Sequence, residues 1–574
     1  MNYLARTASC VVAVVIVLFA QNADAARKAN ELLQYIPDDS PYVMAVTRPM
    51  PDEVMDKMEP AIDKTLAAYK RIIQYQMAEE MLELSLEEGG AEKAEVLQEL
   101  VTEILGLMSV QGLRDAGIGR DALFAAYGDG VLPIMRLALT DGRKFDAAVA
   151  RIEAKAGDGL PTAEVRGAVY RYVDLDEFRV VIATLKDDVV LALVPGVYGE
   201  ERLARTLGFT KPRNSMAKSK ALTAISKKYG YTDHFVSFID VERLAATFLG
   251  DPSGQNTELL EIADYDAAGL SEQCQAEFMG LARIAPRIVM GYKAVNKNYI
   301  DTGMVIELRN DIAAGLATLP APVPGLGPDL GGLFSFGMSL DPMALRNFYE
   351  ARLDAMEEKP FECELLAEVQ AGVAQGRAAL AQQVPPVVYS FRGFLTNVTN
   401  IEGMDIATQT PPTSVDASVL FAVENAETLV AMAAMMSPEI AALNLLPDGK
   451  AKLLDLPQFS EIADQAFAAL SSVGLAVSIG EGSAANAESM LEADLVDNKP
   501  FMSMAFDAKR YYEFVGQAAM EGNESGEGEE LPMAIRAAIR DAMVSSGEMY
   551  ERMALNVHFT DRGVELDSRL TLAE

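Results

Sequence analysis

His234-Phe-Val-Ser-Phe-Ile-Asp240 and Phe501-Met-Ser-Met-Ala-Phe-Asp507 read as one element written twice. Each is a short apolar run ending in an aspartate, the composition of a buried strand. After each aspartate the apolar period lengthens to that of a helix. Val241, Leu244, Ala245 and Phe248 line the first helix, and Tyr511, Tyr512, Phe514 and Val515 line the second. Further on, residues 287–309 read as two extended segments joined at Asp301-Thr-Gly303. Residues 553–572 read as two joined at Asp561-Arg-Gly563. Phe235 stands 52 residues before Arg287 (287 − 235), and Phe501 stands 52 before Met553 (553 − 501). That agreement predicts a tandem duplication.

Outward from these copies the order of elements repeats. Strands at residues 41–46 and 333–340 each run into a helix opened by proline and aspartate, Pro51-Asp52 in one case and Asp341-Pro342 in the other. A long helical pair follows each strand, over residues 53–108 (divided at Gly89-Gly90) and from Pro342 to about Gln383. Further strands are expected at 122–127, 132–139, 163–173, 180–185 and 189–194, the last two forming a hairpin at Asp187-Asp188. Their counterparts are expected at 387–395, 418–423, 474–479 and 489–493. Asp240 to Asp507 is 267 residues (507 − 240), Gly303 to Gly563 is 260 (563 − 303), and Thr140 to Val423 is 283 (423 − 140). Loops that accept insertions account for the spread. The expected fold is α+β in two related halves, 26–316 and 333–574. Each is a mostly antiparallel sheet with covering helices and an inserted long helical pair. Residues 317–332, rich in Pro and Gly, form the expected linker.

The first residues carry Arg6, an apolar run over 11–20, and Ala23-Asp-Ala25, which predicts a signal peptide over 1–25 cut before Ala26. An uncleaved anchor is the alternative. The apolar run is shorter than the roughly 20 residues a membrane span needs, and no later segment is apolar enough. A net charge of −35 repels nucleic acid and anionic lipid, so neither is an expected partner. Cys274 and Cys363 remain after export. They are the disulfide candidate, with two separate buried thiols as the alternative.

No catalytic, cofactor-binding or metal site is predicted. His234 and His558 lack a neighbouring Cys or a second His at helical spacing, so each reads as structural. There is no Gly-x-Ser-x-Gly elbow, and Gly331-Gly332 lacks the Gly-Lys-Ser/Thr ending of a phosphate loop. Asp141, Asp240, Asp341 and Asp507 each stand where a strand hands over to a helix, which predicts capping. Met77, Met81 and Met108 are expected in the core, as are Met432, Met435 and Met436 beside Leu429 and Val430. Residues 521–530 form an acidic insert expected as a loop.

Tyr35-Ile-Pro-Asp-Asp-Ser-Pro-Tyr42 behind a signal sequence resembles the mature start of uncharacterised bacterial envelope proteins of a domain-of-unknown-function family. Phe559-Thr-Asp-Arg-Gly-Val564 is also similar to theirs. The resemblance implies a Gram-negative, periplasmic or envelope-associated location and carries no catalytic residues. The expected role is non-catalytic binding of a small ligand or an envelope partner, in a groove between the halves. A hydrolase with unrecognised carboxylates and an assembly scaffold are the alternatives.

Overall fold

A computed structural model describes residues 31–574 except 87–89, 157–158, 197, 250–256, 263–264, 266–268, 404–411, 455–464 and 522–531. The expected signal peptide and acidic insert therefore lie outside the described residues, the insert but for Glu521.

The N-terminal half contributes β1 (Tyr42–Val46), β2 (Phe124–Asp129), β3 (Leu132–Ala138), β4 (Thr162–Val165) and β5 (Ala168–Leu175). It continues with β6 (Phe178–Thr184), β7 (Asp188–Pro195), β8 (Phe235–Asp240), β9 (Arg287–Val295) and β10 (Tyr299–Glu307). The C-terminal half contributes β11 (Phe334–Ser339), β12 (Phe391–Glu402), β13 (Ser414–Val423), β14 (Lys452–Leu453) and β15 (Ala466–Ser471). It ends with β16 (Gly474–Ile479), β17 (Met502–Asp507), β18 (Tyr550–Thr560) and β19 (Gly563–Leu572).

All neighbours pair antiparallel. From one edge the order is β4-β5-β6-β7-β3-β2-β1-β8-β9-β10, then β19-β18-β17-β11-β12-β13-β16-β15-β14. The protein is thus α+β with one large antiparallel sheet. The expectation of a separate sheet in each half is corrected, because β10 and β19 pair at nine positions, from Tyr299↔Thr571 to Glu307↔Gly563.

Strand alternation places one set of side chains on a common inner face. In the N-terminal half Val43, Ala45, Tyr127, Ile134, Val190, Val236, Phe238 and Val289 join Leu222 and Ile225 of the overlying helix Ala221–Tyr229 in one core. In the C-terminal half Leu395, Leu420, Ala476 and Ala505 are covered by Ala487 and Leu491 of the helix Ser483–Glu492. Val323, Leu326 and Leu330 are buried there too. The Pro/Gly-rich stretch is thus packed into this core. The Tyr35–Tyr42 motif is a plug for the first core. Ile36 is fully buried with its carbonyl accepting from the Met216 amide at 2.9 Å, and Tyr35 lies under the Arg136 guanidinium at 4.1 Å.

The inserted helical pairs are present. Helix Asp52–Ser85 packs on Gly90–Leu107, with Met77 and Met108 buried between them, and also on Met533–Gly547 of the other half. Lys64–Glu548 (2.5 Å) and Arg71–Asp541 (2.8 Å) reinforce that crossing. Helix Pro342–Glu358 packs on Ala367–Leu380. Beyond it Cys363 reaches Cys274 of helix Glu272–Ala282 at disulfide distance, Sγ to Sγ 2.03 Å.

Four expectations change. Asp301-Thr-Gly303 is mid-strand in β10; the turn is at Asn296-Lys-Asn298, where the Asn296 carboxamide accepts from the amides of Asn298 and Tyr299 at 2.9 and 3.2 Å. Gly303 therefore has no turn counterpart in Gly563. Residues 489–493 belong to a helix up to Glu492 rather than a strand, because Ala487 and Leu491 recur at helical spacing on the sheet. Residues 163–173 are broken by Arg166-Gly167, both at positive φ (50° and 80°), which makes a hairpin of β4 and β5. Met432, Met435 and Met436 are not core: they are 54%, 87% and 87% exposed, on the side of their helix turned away from the sheet-packed Ala426.

Candidate functional site

Helix Ala221–Tyr229 lies over β8 with Leu222, Ile225 and Tyr229 inward, and Gly230 at φ 72° ends it in the left-handed conformation. Its small residues Ala221 and Ala224 leave room above Phe238. The result is a cavity of about 290 Å³ walled by Met216, Ala221, Ala224, Ile225 and Phe238. Its polar side is Lys228, Arg243 and Arg287 with Asp38 and Asp240.

These charges are held from behind. Glu307 on β10 accepts from Lys228 Nζ at 2.6 Å, from Arg287 Nε and Nη2 at 2.9 and 3.0 Å, and from the Tyr229 hydroxyl. Arg243 Nη1 donates to the carbonyls of Asp38 and Ser40 at 3.0 and 3.2 Å. Asp240 Oδ1 accepts from the Arg243 amide at 3.0 Å, capping its helix as expected. Asp341 (from Met343 and Ala344), Asp507 (from Arg510) and Asp141 (from Arg143) accept helix amides at 2.9–3.0 Å in the same manner.

From the cavity a polar strip continues across the junction of the halves. The Arg562 guanidinium stands 5.3 Å from the Tyr229 ring centre and donates to Glu565 at 2.9 and 2.6 Å. Burial pushes against Glu565 ionising, but bonds from Arg562 and Thr560 outweigh it and hold the carboxyl below its ordinary value. Tyr231 is 7% exposed and lies across Gly291 and Gly303, where a Cβ would come 2.6 and 3.1 Å from its ring. Its hydroxyl is buried without a hydrogen-bond partner. Burial, then the charges of Asp567 and Glu565, push the phenol well above its usual range. Lys293 donates to Asp567 at 2.5 Å beside it.

His558 belongs to this strip. Burial lowers its ring below the ordinary value, with Asp567 and Glu565 opposing and Lys293 adding to the shift. His234 does not belong to it. It is buried at the start of β8 with Nδ1 3.2 Å from Thr232 Oγ1, and burial followed by Arg48 lowers its pKa. At roughly 3.3 Å per strand residue, His234 and Asp240 are about 20 Å apart, too far to act together.

The sequence reading missed Lys228, Tyr229, Tyr231, Arg287, Glu307, Arg562 and Glu565. They come from four separated places in the chain, and apart from Arg562, in the Phe559–Val564 stretch, none lies in a motif with its chain neighbours. In space Lys228, Arg243 and Arg287 stand with Asp38, Asp240 and Glu307 along one side of the aliphatic wall, a mixed-charge edge beside an apolar surface. Among the described residues no group of three or more His, Cys, Asp or Glu is placed to hold a metal ion. Among them, too, no helix is long and apolar enough to cross a membrane. No family model, no curated protein and no solved structure matches the chain.

Proposed function

We propose that this is an exported, non-catalytic binding protein of the bacterial envelope, and that the cavity beside β8 takes a small amphipathic anion. The carrying observation is the division of the cavity: an aliphatic wall faces a polar side where Lys228, Arg243 and Arg287 stand among Asp38, Asp240 and Glu307, with Lys228 and Arg243 about half exposed. An anionic head meets cations there, and its apolar body is removed from water. The pairing of Cys274 with Cys363 supports export, since disulfides persist in oxidising compartments. The Tyr35–Tyr42 resemblance supports the envelope.

The hydrolase alternative is weaker. A general acid needs a carboxyl held above its ordinary value, and Asp141, Glu277, Asp311, Glu357, Glu439, Glu488, Asp541 and Glu565 are all displaced downward. A duplicated origin of the halves belongs to the same proposal. Its support is the strand order, which reads alike outward from β10 and from β19 as far as the sixth neighbour of each.

Calorimetric titration with octanoate tests the ligand class. Saturable binding that is abolished by Ala224→Trp, which puts an indole into the cavity and removes none of its charged groups, is expected. Absence of binding, or binding unchanged in the variant, would overturn the reading.

A further inference from the structure

The helices that follow β3 and β13 are treated differently by their surroundings. In the N-terminal half, helix Gly142–Ala156 is covered by Gly90–Leu107. Across that contact Arg151 meets Glu103 at 2.7 Å and Lys155 meets Glu99 at 2.9 Å, while Leu100 and Ile104 of the covering helix are buried. In the C-terminal half, the helix in the same place, Ala426–Met436, has no such covering helix among the described residues, because Ala367–Leu380 packs instead on Pro342–Glu358. Met432, Met435 and Met436 stand 54%, 87% and 87% exposed, and Leu446 beyond the next helix is 47% exposed. A methionine face this open is uncommon on a protein surface unless something docks there.

We infer that this face receives an amphipathic helix of a partner protein, with an aliphatic stripe and Lys or Arg on its flanks. The first half supplies the shape, since a helix of this same chain occupies the equivalent position. Methionine side chains adapt to varied apolar partners, as helix-in-groove sites require. Charge supplies the rest. No Lys or Arg occurs between Arg392 and Lys450, so the hairpin from 426 to 446 carries only Glu427 and Glu439. Glu427 Oε2 is buried without a hydrogen-bond partner. In the first half the receiving helix is basic and the docked one acidic; here the receiver is acidic, so the cations come from the incoming helix. A second copy fits poorly, because a symmetric contact would set Glu427 and Glu439 against like charge with no cation between them. An anionic bilayer fits poorly for the same reason.

The test uses the full exported chain and a fluorescent peptide of residues 90–107 carrying Glu99→Lys and Glu103→Lys. Saturable anisotropy binding is expected, weaker by about tenfold or more for the unmodified acidic peptide and for the chain with Met435→Asp and Met436→Asp. Both methionines being exposed, the urea midpoint of that variant stays where it was, and a lowered midpoint would overturn the premise of a free face. Equal binding of the two peptides, or binding indifferent to the methionine changes, would overturn the proposal. So would a wild-type dimer in sedimentation, or flotation with phosphatidylglycerol vesicles, that the same variant abolishes.

Discussion

Gly303 on β10 stands opposite Asp567 on β19 at the midpoint of the nine-residue pairing that fuses the halves into one sheet. The Lys293 stem crosses Gly303 to reach Asp567, and the Tyr231 ring lies beside it across Gly291. A Cβ on Gly303 would meet Lys293 Cε at 2.5 Å, the end of a flexible stem. One on Gly291 would meet three atoms of Tyr231 at 2.6–2.9 Å. Gly291→Ala is therefore expected to destabilise by about 1–3 kcal/mol in urea unfolding, and Gly303→Ala by less. Tyr231→Phe, which deletes the unpartnered hydroxyl, should be neutral or stabilising. A large loss in that variant would show that the hydroxyl has a partner.

Arg136 on β3 is fully buried, bonded to Asp188 at 2.5 Å, with Nε and Nη2 lacking partners. At the matching place on β13 the second half has Leu420, also fully buried. Removing one partner of a buried pair strands the other charge, so Asp188→Ala should cost about 3–5 kcal/mol. Arg136→Leu combined with Asp188→Val should cost far less, because an apolar pair has no charge to desolvate. Chemical denaturation of the single and double variants decides; a double variant as unstable as Asp188→Ala alone would contradict this.

Stability should fall as pH drops from neutrality, before the carboxylates titrate. His234 and His558 are both lowered by burial, so the unfolded chain binds their protons more tightly. Their contribution is present above the unfolded value of about 6.5 and is lost as pH falls through the folded values. His558→Gln should flatten that slope in thermal melts between neutral and mildly acidic pH. At the other end Tyr42 and Tyr550 are pushed up to about 12 by burial. Their contribution is present below the unfolded value of about 10 and is lost as pH rises through the folded one.

The pairing of Cys274 with Cys363 spans 89 residues, and opening it should cost about 4 kcal/mol on the chain-entropy account. The loss should be local at first. Hydrogen exchange after reduction is expected to quicken in residues 342–380, while helix Asp52–Ser85, which crosses the halves through ion pairs, keeps its protection. Thiol labelling of the unreduced, denatured chain should find neither cysteine free.

What could be read from the chain was local. An aspartate at a strand-to-helix junction has one inexpensive use, so Asp141, Asp240, Asp341 and Asp507 were recognisable as caps from their neighbours alone. Cys274 and Cys363 allow one intramolecular pairing between them, and they make it. Gly303 was misread because glycine marks turns as readily as it marks a place where a ring or a lysine stem crosses a strand. Met432, Met435 and Met436 were misread because helical spacing says that a face is apolar and cannot say what covers it. The cavity was hidden for a third reason. Arg287 and Glu307 meet only through sheet pairing and Lys228 only through the helix packed on that sheet, and each looks like an ordinary surface charge in its own segment.

The β10–β19 pairing also sets an order of events for the growing chain. Glu307 ends β10, and β19 begins 256 residues later (563 − 307). Until residue 563 has been made and moved, the first half has a nine-residue strand with bare amides and carbonyls along one side, a template for pairing with any other extended chain. A ribosome stalled in the second half, or a protease cutting there, would release this sticky fragment. Whatever accompanies the growing chain must keep that strand occupied until its own partner arrives.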